Sequence, residues 1–290
     1  MYQTMAKDTF LNRKTTLNLK GKLVDLSKPA VMGILNLTPD SFYEDSRADS
    51  AAEVLRRTEN FLKDGALFID IGAYSTRPGA AEVTEAEELK RMVPMVELIS
   101  RNFPEAYLST DTFRASVAKA TIEAGADLIN DVSGGEIDKE MFETVAALQV
   151  PYILMHMRGT PQDMQQHTGY QDIGLDLVDY FSAKVADLRG RGVKDIILDP
   201  GFGFAKSTAE NYQLLNQLEN FDLFELPMLV GFSRKSMIYK FLNTSPQEAL
   251  NGTSVLNTIA LMKGANILRV HDVKAAMECI ALVEQVQHQY

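Results

Sequence analysis

Short apolar runs, each closed by polar residues and glycine, recur eight times along the 290-residue chain. The run at 196–198, for example, ends at Asp199, which Pro200 and Gly201 follow directly. An apolar run bounded by proline and glycine is typical of a buried strand that stops at a shaped turn. The chain therefore predicts eight strands, which begin near residues 30, 66, 106, 127, 152, 196, 228 and 265.

Helical stretches with one apolar face separate the predicted strands. Thr84 and Glu87 have the spacing of a capping box at the start of one of them. Alternation of apolar and polar residues around Gly21 also predicts a short hairpin over 16–26, which would cover the bottom of the fold. The predicted helices span about 50–63, 84–100, 114–124, 139–148, 172–191, 209–218, 247–263 and 273–287.

The order of these elements favours one α/β architecture. Eight strands, each followed by a helical segment, predict a single (β/α)8 TIM barrel with a short N-terminal β-hairpin. An open doubly wound sheet is the alternative, because its ligand crevice also lies at the carboxyl ends of strands. Such a sheet needs polar residues only near its switch point, whereas all eight predicted strands end in them. We expect a polar lead over 1–15 and the barrel domain over 16–290.

The charge of the chain limits its partners. A formal net charge of -10 disfavours a general nucleic-acid or membrane surface, because both partners are anionic. The N-terminus lacks the apolar core of a signal peptide, and no apolar run of about 18 residues predicts a membrane span. The single cysteine, Cys279, lies in an apolar helical run and fits core packing in a reducing compartment. These features predict a cytoplasmic protein.

In a barrel, the loops that follow the strands lie on one face, so the polar strand ends should converge there. Asp111, Asn130 and Asp199 supply hydrogen-bonding groups for the donor-rich edge of a flat heterocycle. Cations such as Lys235 and Arg269 would meet a phosphate or diphosphate. One bipartite small-molecule substrate would satisfy both groups. The candidates are Asn36, Thr76, Arg77, Asp111, Asn130, His156, Asp199, Ser233, Lys235, Arg269 and His271.

Structural roles compete with functional ones at several of these positions. Asp111, which Thr112 follows, has the alternative of capping the next helix. Asn130 and Asp131 have the alternative of forming a turn. His156 lies between two methionines in a strand-like run, which favours a packed structural histidine over a catalytic one.

The basic residues near the end of the chain have a more definite pattern. Arg269 and His271 lie on the same side of a strand, because side chains alternate along it. Of the neighbours Arg234 and Lys235, only Lys235 needs to face inward.

Signatures of metal and nucleophile chemistry are weak. The four histidines have no zinc spacing, and the cysteine has no recognisable nucleophile context. The run from Gly201 to Gly203 lacks the third glycine of a dinucleotide motif. Asn36 is suited to hold Mg²⁺ through the phosphates of a ligand, because this ion usually takes few protein ligands.

Eight motifs, in order between about residues 30 and 275, resemble those of the dihydropteroate synthases, a family of pterin-binding enzymes. Eight ordered matches over most of the chain are a specific signal. The motifs are 32–42 (MGILNLTPDSF), 70–79 (DIGAYSTRPG), 111–112 (DT), 130–135 (NDVSGG), 155–161 (MHMRGTP), 199–204 (DPGFGF), 233–236 (SRKS) and 269–272 (RVHD).

The resemblance implies a reaction, in which 6-hydroxymethyl-7,8-dihydropterin diphosphate condenses with 4-aminobenzoate to give 7,8-dihydropteroate and pyrophosphate in folate biosynthesis. It implies a Mg²⁺-dependent transferase that is a homodimer and a sulfonamide target. It also implies dissociative loss of pyrophosphate, for which no protein nucleophile is needed.

The resemblance further implies residue roles. The implied pterin ligands are Asp111, Asn130, Asp199, Lys235 and Arg269, of which all but Asn130 are the expected catalytic residues. The implied pyrophosphate ligands are Asn36, Arg77, Arg269 and His271, with Asn36 also the metal ligand. The implied neighbours of 4-aminobenzoate are Phe42, Thr76, Arg77, Pro78, Phe204 and Ser233.

The chain departs from the family pattern at 43–47, at 73–74 and at Ala205, and none of these changes removes an implied ligand. A pterin-binding methyltransferase with a corrinoid partner is the alternative enzyme, although it would not need the motifs at 75–79 and 233–236. A catalytically silent barrel that binds a partner is the alternative outside the enzymes. It would be expected to lack at least one of the charged strand-end residues, and all are present.

Overall fold

The computed structural model describes residues 14–37, 47–74 and 83–287, and of residues 47–50 only the backbone. After an initial hairpin, strands and helices alternate within these ranges, except that two helices lie between the last two strands. The strands are β1 (Thr16–Leu19), β2 (Lys22–Asp25), β3 (Ala30–Asn36), β4 (Phe68–Gly72), β5 (Tyr107–Asp111), β6 (Leu128–Asp131), β7 (Tyr152–Met155), β8 (Ile196–Asp199), β9 (Leu229–Val230) and β10 (Ile267–Val270). The helices are α1 (Arg47–Lys63), α2 (Glu85–Asn102), α3 (Ala115–Glu123), α4 (Met141–Leu148), α5 (Ile173–Gly190), α6 (Thr208–Asn216), α7 (Ser236–Tyr239), α8 (Leu250–Met262) and α9 (Val273–Gln287).

The eight strands after the hairpin are parallel and form one sheet in the order β8-β7-β6-β5-β4-β3-β10-β9. The last strand, β10, pairs with the first, β3. A parallel bridge between Leu198 of β8 and Met228, next to β9, joins the two edges of the sheet. The sheet is therefore closed, which confirms the predicted (β/α)8 barrel and excludes the open doubly wound sheet.

The predicted N-terminal hairpin is confirmed, since β1 and β2 pair antiparallel. Leu17 and Leu19 of β1 and Leu26 after β2 close the lower end of the barrel, where the strands begin, and are fully buried against apolar side chains that point inward from the strands. We call this group the apolar floor. It consists of Leu17, Leu19, Leu26, Ala30, Met32, Phe68, Leu128, Ile153, Ile197, Leu229 and Ile267.

Helix caps agree in part with the sequence patterns. Thr84 caps α2 by accepting a hydrogen bond from the backbone N–H of Glu87 at 3.3 Å. The Glu87 carboxylate pairs with Arg91 at 2.8 Å, so only half of the predicted capping box is described. A complete capping box lies instead at the start of α6, between Ser207 and Glu210.

Two predicted helices have different limits in the structure. The helix expected over 247–263 begins only at Leu250, because Thr244 and Ser245 bond the carboxylate of Glu248 and form a separate turn before it. The helix expected over 209–218 ends at Asn216 and continues as a 3-10 helix over Leu218–Phe224. Within the described ranges, no helix combines the length and the apolar character that crossing a membrane requires.

Candidate active site

Polar residues replace apolar ones one layer above the apolar floor. Because side chains alternate along a strand, Phe68 and Ile197 of the floor are followed on the inner side by Asp70 and Asp199. These positions lie toward the carboxyl ends of the strands, where TIM barrels carry their active sites. We call the inward-facing group the polar mouth. It consists of Asp70, Asp111, Asn130, Asp199, Lys235 and Arg269.

The guanidinium of Arg269 lies between two carboxylates of the polar mouth. Its Nε donates a hydrogen bond to Asp70 Oδ2 at 2.6 Å, and its Nη2 donates to Asp111 Oδ2 at 2.6 Å. Asp70 is almost fully buried, so these charge-assisted contacts are little screened by water. Arg269 therefore ties β10 to β4 and β5 across the barrel.

Asn130 and Asp131 have separate roles. Asn130 faces the polar mouth and donates a hydrogen bond from Nδ2 to Asp70 Oδ2 at 3.1 Å. Asp131 accepts hydrogen bonds from the N–H groups of Ser133 and Gly135 and from the hydroxyl of Tyr152 at 2.7–2.8 Å. The turn-forming alternative is therefore correct for Asp131 and wrong for Asn130.

Several buried polar atoms in the barrel have no hydrogen-bond partner in the described part of the chain. They include Asp70 Oδ1, Asn130 Oδ1 and Ser109 Oγ. An unpaired buried polar group is costly, and native proteins contain few of them. Acceptors of this kind are suited to the N–H groups of a bound heterocycle.

Asp199 is held by the segment that follows it, residues 200–206, which we call the β8 loop. Asp199 Oδ1 accepts a hydrogen bond from Gly201 N at 2.7 Å. Lys235, directly before α7, reaches this loop, with its Nζ 2.5 Å from the carbonyl oxygen of Phe202 and 4.7 Å from the ring centroid of Phe204. The structure thus brings Asp199, Phe204 and Lys235 together.

The carboxylates of the polar mouth have altered pKa values. Burial raises the pKa of Asp111 to about 7, although the nearby Arg269 lowers it, and the charge of Asp70 raises it further. Burial also raises the pKa of Asp199, while Lys235 opposes this shift. The polar mouth therefore stabilises negative charge only incompletely in the absence of a ligand.

The cations of the polar mouth respond differently to burial. Burial lowers the pKa of Lys235 to about 8, although the charge of Asp199 raises it. Burial also lowers the pKa of Arg269, but the carboxylates of Asp70 and Asp111 outweigh it and leave the value above the ordinary one. Arg269 therefore keeps its positive charge in the buried site.

The predicted alternative that Asp111 caps the next helix is wrong. The cap residue of α3 is Arg114, and its backbone N–H bonds the hydroxyl of Thr112 at 3.2 Å. The next N–H, of Ala115, bonds the carboxylate of Asp138 at 2.8 Å. The helix start is satisfied without Asp111, whose carboxylate pairs with Arg269.

The ends of β9 and β10 meet beside the polar mouth. Ser233 Oγ lies 2.9 Å from Nδ1 of His271 and accepts a hydrogen bond from its backbone N–H at 3.1 Å. Arg234 makes a two-pronged ion pair with Asp272, at 2.8 and 3.0 Å. As predicted, Lys235 and not Arg234 faces the interior.

The remaining predicted residues lie at the rim or beyond it. Asn36 ends β3 and is half-buried, opposite Gly72 of β4. Phe42, Thr76, Arg77 and Pro78 fall outside the described residues. No group of three or more His, Cys, Asp or Glu side chains in the described ranges is arranged to hold a metal ion.

Two residues of this region had no predicted role. Asp70 lies within the motif at 70–79, but no role is predicted for it from the sequence. Because it comes two residues after Phe68 on the same strand, alternation is sufficient to predict that it faces inward. Lys206, at the end of the β8 loop, is 3% exposed and lies 3.0 Å from Nδ1 of His156. His156 itself is buried and hydrogen-bonded, as predicted for a structural histidine.

Comparison with known proteins gives consistent matches along the chain. A family described as "Pterin binding enzyme" matches residues 32–271. A dihydropteroate synthase of Escherichia coli K12 is 43% identical over 267 residues, which are 91% of this chain and 94% of the relative.

Solved structures give the same match in three dimensions. The dihydropteroate synthase of Yersinia pestis, in complex with a sulfonamide drug, is 44% identical with a TM-score of 0.88 and covers 94% of this chain and 99% of its own. The dihydropteroate synthase of Xanthomonas albilineans, with 4-aminobenzoic acid, is 35% identical with a TM-score of 0.86, over 94% of this chain and 98% of its own.

Proposed function

The chain belongs to the dihydropteroate synthases of the pterin-binding enzyme family, and from this premise we propose how its polar mouth condenses 6-hydroxymethyl-7,8-dihydropterin diphosphate with 4-aminobenzoate. The observation that carries the assignment of residues is the cluster of buried acceptors and cations at the carboxyl ends of the strands. A flat, donor-rich ring attached to a diphosphate is complementary to that cluster.

The pterin ring would bind at the centre of the polar mouth. Asp111, Asn130 and Asp199 would offer acceptors to its ring N–H and amino groups, and the Oδ1 atom of Asn130 has no partner among the described residues. Lys235 would donate to a ring acceptor, and Arg269 would stack on the ring face. Filling the space with a heterocycle would satisfy acceptors that are costly when left unpaired.

The diphosphate would lie toward the rim, where Asn36, Arg77, Arg269 and His271 would hold it. The side-chain oxygen of Asn36, half-buried at the end of β3, would suit a magnesium ion, because Mg²⁺ bound with a diphosphate takes most of its ligands from phosphate and water. Asn36 would be its protein ligand. When bound, the ion would neutralise part of the diphosphate charge.

The second substrate, 4-aminobenzoate, would lie beside the β8 loop. Phe204 and Ser233 are the described residues of this proposed subsite, and Lys235 stands over the Phe204 ring. The other proposed neighbours are Phe42, Thr76, Arg77 and Pro78. The complexes of related synthases with a sulfonamide and with 4-aminobenzoic acid support a subsite for this ring.

The reaction would then proceed without a protein nucleophile. The bond between the pterin methylene carbon and the diphosphate oxygen breaks, and the electron pair leaves with pyrophosphate. The carboxylates of Asp111 and Asp199 would stabilise the positive charge that develops on the pterin, and Arg269 would hold the leaving group. The amine of 4-aminobenzoate forms the new bond to the methylene carbon and loses a proton.

Pyrophosphate release is the assay that tests this function. We expect release that requires the pterin diphosphate and Mg²⁺ and that rises when 4-aminobenzoate is added. Release that ignores the amine would contradict the proposed condensation. Methyl transfer from methyltetrahydrofolate to a corrinoid, in place of pyrophosphate release, would support the methyltransferase alternative.

A homodimer is proposed through the outer faces of α8 and α9. Three apolar side chains of α8 at helical spacing, Val255, Ile259 and Met262, are 38–52% exposed. Leu282 and Val286 of the neighbouring α9 are 70% and 54% exposed. Adjacent apolar stripes of this kind support pairing with a second copy of the same face.

The mass of the protein in solution tests this interface. We expect a dimer for the wild type and a monomer for the double variant Val255→Glu, Met262→Glu. Leu175→Glu is the matched control, because Leu175 is 62% exposed on α5 and should leave the dimer intact. A monomeric wild type would contradict the proposal. The cytoplasmic location stays a prediction.

A further inference from the structure

A buried lysine outside the polar mouth has no role in the mechanism above. Lys206 ends the β8 loop, and only 3% of its surface is exposed. A buried ammonium is costly unless hydrogen bonds replace its water. The hydrogen-bond partners of Lys206 therefore indicate what role it has.

The ammonium of Lys206 is surrounded by acceptors from two strand ends. Its Nζ donates to the carbonyl oxygens of Gly201 and Phe204, both at 3.0 Å, and to that of His156 at 3.4 Å. The fourth neighbour is Nδ1 of His156, at 3.0 Å. Lys206 therefore ties the β8 loop to the end of β7.

His156 is a fixed partner for this lysine. Its ring lies edge-on to Tyr180 with centroids 4.8 Å apart, and the Tyr180 hydroxyl donates to the carbonyl of Met155. Burial lowers the pKa of His156 well below its usual value, so the ring is neutral. Burial lowers the pKa of Lys206 to about 7, although the charge of Asp199 raises it. When Lys206 is protonated it only donates, so Nδ1 then accepts and the ring proton lies on Nε2.

The residues that Lys206 holds are in direct contact with the proposed substrate site. The N–H of Gly201 bonds the Asp199 carboxylate, and the Phe204 ring lies under Lys235. Gly201 has a φ of +70°, and a side chain there would come within 2.1 Å of the carbonyl oxygen of His156. The loop is thus packed directly on β7, and its position depends on that contact.

We propose that Lys206 is a positioning residue, which with His156 holds the β8 loop so that Asp199 and Phe204 keep the places that the substrates need. The inference rests on the proposed roles of these two residues. The hydrogen bonds of Lys206 go to His156, Gly201 and Phe204 and to no residue of the polar mouth in the described part of the chain.

Lys206→Met tests this, because it keeps the length and the apolar stem and removes the ammonium. We expect a folded protein in which KM for 4-aminobenzoate rises about tenfold and kcat falls about tenfold, since small displacements of positioned groups are costly. Lys263→Met is the matched control. Lys263 also donates to a backbone carbonyl, of Asn216 at 3.0 Å, but lies at the opposite end of the barrel, before β10. Lys263→Met should leave both KM for 4-aminobenzoate and kcat unchanged.

A pair of His156 variants provides the second test and does not depend on the folding of Lys206→Met. His156→Asn can keep an acceptor near the position of Nδ1, whereas His156→Leu cannot. His156→Asn should retain most of the wild-type kcat/KM, whereas His156→Leu should have a kcat/KM about tenfold lower. Equal constants in the two variants, or wild-type constants in Lys206→Met, would overturn the inference. Absence of turnover in the wild type would instead contradict the proposed function, and with it this inference.

Discussion

The two ends of the barrel interior are built on the same strands from opposite kinds of side chain. On β8, Ile197 belongs to the apolar floor and is fully buried, and two residues later Asp199 belongs to the polar mouth. On β10 the same step leads from Ile267 to Arg269. The apolar floor buries hydrocarbon side chains, which need no hydrogen-bond partners, whereas the polar mouth buries charged groups.

This difference separates stability from function within one core. Burial of apolar side chains at the floor stabilises the fold. At the mouth, burial raises the pKa of Asp111 and lowers that of Lys235, so both charges cost free energy in the folded chain. The polar mouth therefore lowers the stability of the fold, but it provides charged groups that can bind a ligand. Substitutions at the two ends should have opposite effects.

The largest effect is expected from the cations of the mouth. Lys235→Ala and Arg269→Ala should each lower kcat/KM by about 10³-fold or more, because Lys235 would position the pterin ring and Arg269 would stabilise the charge of the leaving diphosphate. The fold should survive, as judged by circular dichroism. Lys240→Ala removes an exposed lysine of the same segment and should be without effect. Near-normal turnover in either mouth variant would remove that residue from the site.

The opposite pattern is expected at the floor. Ile197→Ala should lower the free energy of unfolding by about 2–5 kcal/mol, because it leaves a cavity among fully buried side chains. At a temperature where it is folded, its kcat and KM should match those of the wild type. Denaturant unfolding and steady-state kinetics measure the two quantities separately. A large kinetic effect would mean that floor and mouth are not independent.

Asp70 should have an intermediate effect on activity. Asp70→Asn keeps the shape but removes the charge that holds Arg269 and Asn130, so kcat/KM should fall about 10²-fold. Asn257→Ala is the control, because it removes a buried side chain of α8 whose oxygen also has no partner in the described residues and which lies outside the polar mouth. Equal activity in both variants would show that Asp70 does not position Arg269.

The smallest effect is a gain in stability at Asp111. The pKa of its carboxyl is about 7 in the folded chain and near 3.8 when unfolded. Between these values the folded chain binds more protons, so stability contributed by Asp111 falls as pH rises. Asp111→Asn should therefore gain stability relative to the wild type as the pH rises from about 4 to about 7, with no further gain above. A difference that does not vary with pH would contradict the assigned shift.

Much of this arrangement could be predicted from the sequence, because its signals are local. Apolar runs that end at Asp111 or Asp199 predict strands, and the recurrence of this pattern predicts the barrel. The alternation rule places Arg269 inward without any knowledge of its partners.

The contacts that could not be predicted from the sequence join segments that are far apart along the chain. Arg269 and Asp70 are 199 positions apart, and their pairing follows only from closure of the sheet. Lys206 is 50 positions from His156, and a lysine after a glycine-rich loop more often faces water. The choice between Asn130 and Asp131 as the turn former likewise needs the neighbouring strand, since the hydroxyl of Tyr152 lies on it.

The claim that the polar mouth is the pterin site is tested most directly by stabilisation with ligand. The melting temperature is measured with and without the pterin diphosphate for the wild type, Asp199→Asn and Ile197→Val. A ligand at 100 times its Kd adds about 2.7 kcal/mol to the stability of a chain that binds it. The wild type and Ile197→Val should shift equally, and Asp199→Asn should not shift. An equal shift in all three would contradict the account.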